Sequence, residues 1–257
     1  MGVVNVTPDS FSDGGMYLDP RVAVEHGKRL IEDGAAILDV GGESTRPGAE
    51  PVSEGEELRR VVPVVEGLAG VGAEISVDTS KAAVAAAALD AGASIVNDVT
   101  ALRGDVEMAG LCAERGATVV LMHMLGNPRT MQDEPRYGDV VEEVKGFLAE
   151  RVEAAVAAGV AEERIWVDPG IGFGKTAAHN MELLRRLGEL AESGRPLVVG
   201  TSRKSFIGGA DGSPVDERIG GTIASSVLAA AEGAGVLRVH DVAAVGEALR
   251  VVDAILG

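Results

Sequence analysis

An α/β chain folded as a single-domain (β/α)8 TIM barrel is what this sequence predicts, on three observations. Eight short apolar runs of strand character alternate with eight helical patterns from end to end. The 257 residues fit the roughly 250 of such a barrel, and no change in composition marks a boundary inside residues 1–257. A helix-stopping glycine followed by a short apolar run with a polar end recurs along the chain, at Gly34-Ala-Ala-Ile-Leu-Asp39, Gly72 to Asp78, Gly92 to Asn97, Gly116 to His123 and Gly235 to Arg238. The same elements in an open doubly wound sheet are the alternative.

The strand-like runs are 2–6, 36–40, 74–78, 94–97, 118–123, 164–168, 197–200 and 235–239. They are too apolar to face water on either side, as parallel strands under a layer of helices must be. The helical patterns lie near 20–33, 53–69, 80–91, 105–115, 139–158, 178–193, 215–233 and 241–256. The fifth is the clearest, with Val140, Val141, Val144, Phe147, Leu148, Val152, Ala155 and Val156 on one face. The recurring glycines suit helix C′ positions, where a left-handed backbone ends the helix. The polar strand ends, Asn5, Asp39, Asp78, Asn97, His123, Asp168 and Arg238, together with His240, would meet at the C-terminal mouth of a parallel barrel, where its active site is built.

Composition narrows the function. A net charge of −17 opposes general binding to nucleic acid or anionic membrane. An anionic ligand therefore needs a local basic cluster, and Arg46, Lys175, Arg203, Lys204, Arg238 and His240 all fall at the predicted mouth. Only 3% of residues are aromatic, yet Phe11, Phe173 and Phe206 lie in or just after mouth loops, which suits a flat ligand. Phe206 reads better as packing under a helix. The lone Cys112 excludes an internal disulfide framework, the chain opens without a secretory signal pattern, and no 18 apolar residues run together. The expectation is a soluble, cytoplasmic protein acting on small molecules.

Asp168-Pro-Gly-Ile-Gly-Phe-Gly-Lys175 joins a buried strand to a flexible turn between opposite charges. A buried carboxylate must be paired or hydrogen-bonded, so Asp168 needs a partner. The simpler reading is a glycine-rich βα loop with Asp168 capping the next helix. For His123 the expectation is a neutral ring satisfied by the barrel wall.

These residues carry a resemblance. Asn5-Val-Thr-Pro-Asp-Ser-Phe-Ser-Asp-Gly-Gly15, Asp39-Val-Gly-Gly-Glu-Ser-Thr-Arg-Pro-Gly48, Ser76-Val-Asp-Thr79, Asn97-Asp-Val99, Met122-His123, the Asp168 to Lys175 segment, Gly200-Thr-Ser-Arg-Lys-Ser205 and Arg238-Val-His-Asp241 resemble, in order, the motifs of the dihydropteroate synthase family of pterin-binding enzymes. The resemblance spans essentially the whole chain and implies the (β/α)8 barrel. Family members commonly carry more residues before the first strand, a difference that touches packing and no site motif.

The implied reaction joins 4-aminobenzoate to 6-hydroxymethyl-7,8-dihydropterin diphosphate with Mg2+, releasing diphosphate. By resemblance, Asp78, Asn97, Asp168 and Lys204 read the pterin. Asn5, Arg238 and His240 take the diphosphate, with the Asn5 amide oxygen on the metal. Thr45, Pro47, Phe173 and Ser205 line the aminobenzoate slot. Asp9, Phe11 and Arg46, on loops 7–15 and 43–50 that would close over the site, join Asn5, Lys204, Arg238 and His240 in the catalytic set. A homodimer is implied too. The rival readings are a pterin-dependent methyltransferase domain and a non-catalytic pterin-binding homologue, and Arg238, His240 and Thr45-Arg-Pro47 favour the synthase.

Overall fold

The computed structural model describes residues 1–7 and 19–257. Its strands are β1 (Gly2–Asn5), β2 (Ile37–Gly41), β3 (Glu74–Asp78), β4 (Ile95–Asp98), β5 (Thr118–Met122), β6 (Ile165–Asp168), β7 (Val198–Val199) and β8 (Val236–Leu237). The first six pair in parallel in sequence order, and β7 pairs in parallel with β8. Two parallel bridges, Val167 to Leu197 and Gly2 to Val239, close the ring. Across the last seam the Val239 N–H donates to the Met1 carbonyl at 3.0 Å and the Val3 N–H to the Val239 carbonyl at 3.1 Å. All eight expected strands are present, and the open sheet is excluded.

The helices are α1 (Pro20–Glu32), α2 (Glu54–Leu68), α3 (Ala82–Asp90), α4 (Met108–Arg115), α5 (Val140–Ala157), α6 (Ala177–Arg185), α7 (Leu187–Ala191), α8 (Ser205–Asp211), α9 (Ile219–Ala231) and α10 (Val242–Leu256). Local chemistry sets several starts. Asp19 accepts from the Arg21 N–H ahead of Pro20, Ser53 from Glu56, and Asp139 from Val141 and Glu142. On α5 the expected stripe is buried at Val140, Val141, Val144, Leu148 and Ala155, whereas Val156 is exposed. No helix among the described residues is long and apolar enough to cross a membrane.

Three expectations about the helices change. The pattern at 178–193 is two helices, because Arg186 leaves helical geometry at φ −110°, ψ 24° while Leu183, Leu184, Leu187 and Leu190 keep their burial. The pattern at 215–233 becomes a helical turn at Val215–Glu217 followed by α9, which ends before Gly233; that residue, at φ +98°, takes the left-handed position expected of Gly235. Helix α8 is missing from the expected helical patterns. Its two glycines give it poor intrinsic propensity, and it is held by the burial of Phe206 and Ile207, the latter seated against Gly221, where a Cβ would come within 2.3 Å of it. Phe206 thus packs in the core, as its simpler reading required.

Strand alternation positions the site. Val4, Leu38, Val40, Ile75, Val77, Val96, Val119, Leu121 and Ile165 belong to the large core cluster under the helices. Ile37, Ile95, Val120, Val198, Trp166, Val236 and Met1 form a separate cluster, which fills the barrel interior. Side chains two residues apart on a strand share a face. Two residues beyond Ile37, Ile95, Trp166 and Val236 stand Asp39, Asn97, Asp168 and Arg238. The barrel is plugged by an apolar layer below and carries a polar, charged layer immediately above it.

Candidate active site

Strand register aligns Asn5 with Gly41, Gly41 with Asp78, and Asp78 with Asn97, a single row along the mouth. Above the row opens a cleft of about 940 Å3, lined among others by Asn5, Thr45, Arg46, Pro47, Asp78, Phe173, Lys204, Ser205, Arg238 and His240. Asn97 and Asp168 lie deeper, 5% and 6% exposed. Asp9 and Phe11 lie outside the described residues.

On the β2, β3 and β8 side, Arg238 joins two acids. Its Nε donates to Asp39 Oδ2 at 2.6 Å and its Nη2 to Asp78 Oδ2 at 2.9 Å. The same Asp39 oxygen accepts from Asn97 Nδ2 at 3.2 Å, while Asp39 Oδ1 is buried with no partner. Burial pushes the Asp78 carboxyl up to about 7, with Arg238 opposing and the acids Asp39, Glu57 and Asp98 adding. Burial works against the charge on Arg238 as well, but Asp39 and Asp78 outweigh it and raise its pKa.

On the β6 side, Asp168 finds its partner in the turn itself: Oδ1 accepts from the Gly170 N–H at 2.7 Å. Burial still holds its carboxyl above the usual range, against the nearby charge of Lys204. Gly170 has φ +66°, and a Cβ there would sit 1.9 Å from the His123 carbonyl oxygen, so only glycine makes this turn. Thr176, not Asp168, caps α6, in a reciprocal capping box with His179.

Lys175 is 2% exposed and threads the same turn. Its Nζ meets the Gly170 and Phe173 carbonyls at 3.0 Å each and His123 Nδ1 at 2.8 Å. Burial lowers it to about 7, with Asp168 raising it. Burial and then Lys175 push His123 down to about 3, so its ring is neutral, edge-on to Phe147 at 4.9 Å. Lys204 donates to the Ile171 carbonyl and stands 4.8 Å above the Phe173 ring, a cation over an aromatic face. Lys204 and Asp168 act on each other's charge through space, since Lys204 donates its direct hydrogen bond to a backbone carbonyl and Asp168 accepts its own from a backbone N–H.

The β7 and β8 ends supply the rest. Arg203, at φ +57°, donates its N–H to Thr222 Oγ1 at 3.0 Å and grips Asp241 with Nε at 2.9 Å and Nη2 at 2.5 Å. Ser202 Oγ lies 3.0 Å from His240 Nδ1. Burial, reinforced by Arg238 and Arg203, pushes His240 down to about 3. Ser205 opens α8. The 43–50 loop, which presents Thr45, Arg46 and Pro47, is tied at both ends: Glu43 accepts from the Val52 N–H at 3.0 Å and from Lys81 at 2.5 Å, and the Gly48 N–H reaches the Pro128 carbonyl at 3.2 Å.

The structure thus gathers Asn5, Asp78, Asn97, Asp168, Lys204, Arg238 and His240 at one mouth, with Thr45, Arg46, Pro47, Phe173 and Ser205 on its rim. Asp39, expected at the mouth only as a polar strand end, and Ser202, which hold these groups, carried no assigned role in the sequence. Asp39 had a signal, its place two residues beyond an interior Ile; Ser202 had only its motif.

The profile of a family described as "Pterin binding enzyme" matches residues 1–240. Dihydropteroate synthase of Escherichia coli (strain K12) is 50% identical over 259 residues, covering 100% of this chain and 91% of that protein. The Mycobacterium leprae (strain TN) enzyme of the same name is 52% identical over 261 residues, covering 99% and 92%. Among solved structures, Yersinia pestis dihydropteroate synthase with a sulfonamide drug superposes with TM-score 0.96 at 47% identity, covering 99% of this chain and 93% of that one. The Xanthomonas albilineans dihydropteroate synthase in complex with 7,8-dihydropteroate gives 0.89 at 47%, covering 100% and 93%. With a profile match over most of its length and about half its residues shared with these proteins, the chain belongs to the family of pterin binding enzymes.

Proposed function

We propose that the chain carries out the dihydropteroate synthase reaction, forming 7,8-dihydropteroate and diphosphate from 6-hydroxymethyl-7,8-dihydropterin diphosphate and 4-aminobenzoate. The observation that carries this reading is the layer of acids, amide and cations at the mouth. Asp78, Asn97 and Asp168 stand together with Arg238 and Lys204 over an apolar plug. Such a layer suits a flat, polar-edged ring with an anionic tail. In this reading Asp78, Asn97 and Asp168 read the aminopyrimidinone edge and Lys204 contacts the ring from another side. Asn5, Arg238 and His240 receive the diphosphate. Phe173, Thr45 and Pro47 flank the arylamine, and Ser205 faces its carboxylate. Asp9, Phe11 and Arg46 complete the site once it is filled.

The donor set near Asn5 fits Mg2+. Among the described residues no group of three or more His, Cys, Asp or Glu is placed to hold a metal by itself. Mg2+ keeps waters and takes one or two protein oxygens beside substrate phosphates, which the Asn5 amide in the cleft can supply. When bound, it would neutralise charge on the diphosphate.

We further propose a dissociative, SN1-like course. The bond from the exocyclic methylene to the diphosphate oxygen breaks first, its electron pair leaving with the diphosphate. Arg238 and a neutral His240 stabilise that charge as donors. The dihydropterin ring delocalises the methylene cation, flanked by Asp78 and Asp168. The arylamine nitrogen then forms the new bond and gives up a proton to the departing diphosphate or to water. A homodimer is part of the proposal, supported by the exposed Leu228, Val251, Ile255 and Leu256 on the packed helices α9 and α10. So is a cytoplasmic setting, where the buried Cys112 thiol stays reduced. The test is product formation from the two substrates with purified protein and Mg2+; pterin binding without product would overturn the catalytic reading.

A further inference from the structure

Ser202 and His240 meet at the β7 and β8 edge of the mouth through two hydrogen bonds. The His240 backbone N–H donates to Ser202 Oγ at 3.2 Å, and Ser202 Oγ lies 3.0 Å from His240 Nδ1. A hydroxyl has one proton to give and two lone pairs to offer. The first bond uses Oγ as acceptor. For the hydroxyl proton, the protein acceptor within reach among the described residues is Nδ1; Ser202 itself is 5% exposed, on the wall of the cleft. With Nδ1 accepting, the proton of a neutral imidazole must sit on Nε2. The reverse tautomer, Nδ1–H donating to Oγ, would turn the hydroxyl proton away from its one protein acceptor among the described residues.

We infer that Ser202 is a positioning residue that fixes His240 in the Nε2–H tautomer, leaving a neutral donor rather than a lone pair for an anion in the cleft. The surroundings suit this division of labour. Burial, helped by Arg238, Arg203 and Arg46 and opposed by Asp241, works against protonation of His240, so the tautomer and not a charge decides what the ring offers. Ser202 is itself held in place: next to it Thr201 Oγ1 meets Ser226 Oγ at 3.2 Å, and the Arg203 N–H bonds Thr222. The turn after β7 is thereby pinned on both sides of the serine. The catalytic consequence rests on the reading of His240 as a diphosphate contact; the tautomer assignment does not.

Histidine-15N labelling and long-range proton–nitrogen correlation spectra separate the two, with His240→Gln identifying the signals. The wild-type protein should show His240 with a protonated Nε2 and a bare Nδ1 from pH 6 to 8. Ser202→Ala should give averaged, mixed-tautomer nitrogens and lower kcat/KM for the dihydropterin diphosphate by about ten- to a hundred-fold, the effect of one hydrogen bond to a charged group. Ser202→Thr should restore both. A protonated Nδ1 in the wild-type protein overturns the inference without need of any variant, and so does an unchanged tautomer in Ser202→Ala. A changed tautomer with unchanged kcat/KM would uphold Ser202 and remove His240 from the diphosphate site.

Discussion

On the β2, β3 and β8 side of the mouth Arg238 is held by the carboxylates of Asp39 and Asp78, whereas on the β6 and β7 side Lys175 and Lys204 are held by backbone carbonyls and Asp168 by a backbone N–H. The first arrangement spends charge on charge. A ligand that uses Asp78 or Arg238 must compete with a pair already made, and removing one member strands the others. The second keeps the charges of Lys204 and Asp168 available, because peptide dipoles satisfy hydrogen bonding without cancelling a full charge. It also needs a backbone that can turn its carbonyls inward, hence the glycines. One wall should therefore break when a side chain is removed, the other when a Cβ is added.

The largest effect is expected from Arg238→Ala. It leaves Asp39, fully buried, and Asp78 as uncompensated neighbours, and breaking a buried pair in this way costs about 3–5 kcal/mol. Denaturant unfolding measures it. Arg238→Lys should recover only part, because an ammonium cannot present the fork that reaches both acids. A loss below about 1 kcal/mol, the worth of an exposed pair, would mean that the wall is not a coupled network.

Gly170→Ala should come next, at about 2–4 kcal/mol, combining a left-handed backbone for a residue with a Cβ and an overlap with the His123 carbonyl. Gly34→Ala is the control. It shares the positive φ, at +103°, but has open space around the new carbon, so only the backbone cost of about 1–2 kcal/mol remains. Equal losses at the two positions would show that close packing at Gly170 contributes nothing.

What the sequence made legible follows the same division. The eight strands and their polar ends were readable because a buried parallel strand is a short apolar run and its last inward residue must be polar to serve a mouth. Thr45, Pro47, Phe173 and Ser205 fell on the rim because motif order fixes which loop each occupies. Partners were not readable. Asp39 and Arg238 are 199 positions apart, and nothing local to either says that one carboxylate oxygen serves both Arg238 and Asn97. Helix α8 was hidden for a related reason: its stability comes from where Phe206 and Ile207 are buried and not from its own propensity.

Asp78 and Asp168 offer the finest comparison, since both are buried acids above the same apolar plug with different partners. Asp168→Asn keeps an oxygen for the Gly170 N–H but sets a donor where a pterin ring needs an acceptor. Affinity for a pterin analogue should fall by roughly 1–3 kcal/mol in calorimetric titration, with the fold intact. Asp78 should differ in its response to pH. Its carboxyl holds a proton up to about 7 in the folded protein but releases it near 3.8 when unfolded. The folded state then binds more protons between those values, so this group's contribution to stability falls as pH rises through that window and levels off above it. Ligand affinity should run the other way, because the ionised Asp78 is the form that accepts from the ring: it should strengthen as pH rises through about 7. That rise should persist in Asp168→Asn and vanish in Asp78→Asn. Loss of the rise in Asp168→Asn alone would transfer the titrating role to the β6 wall, and the contrast drawn between the two sides would fail at the acids while still standing for the cations.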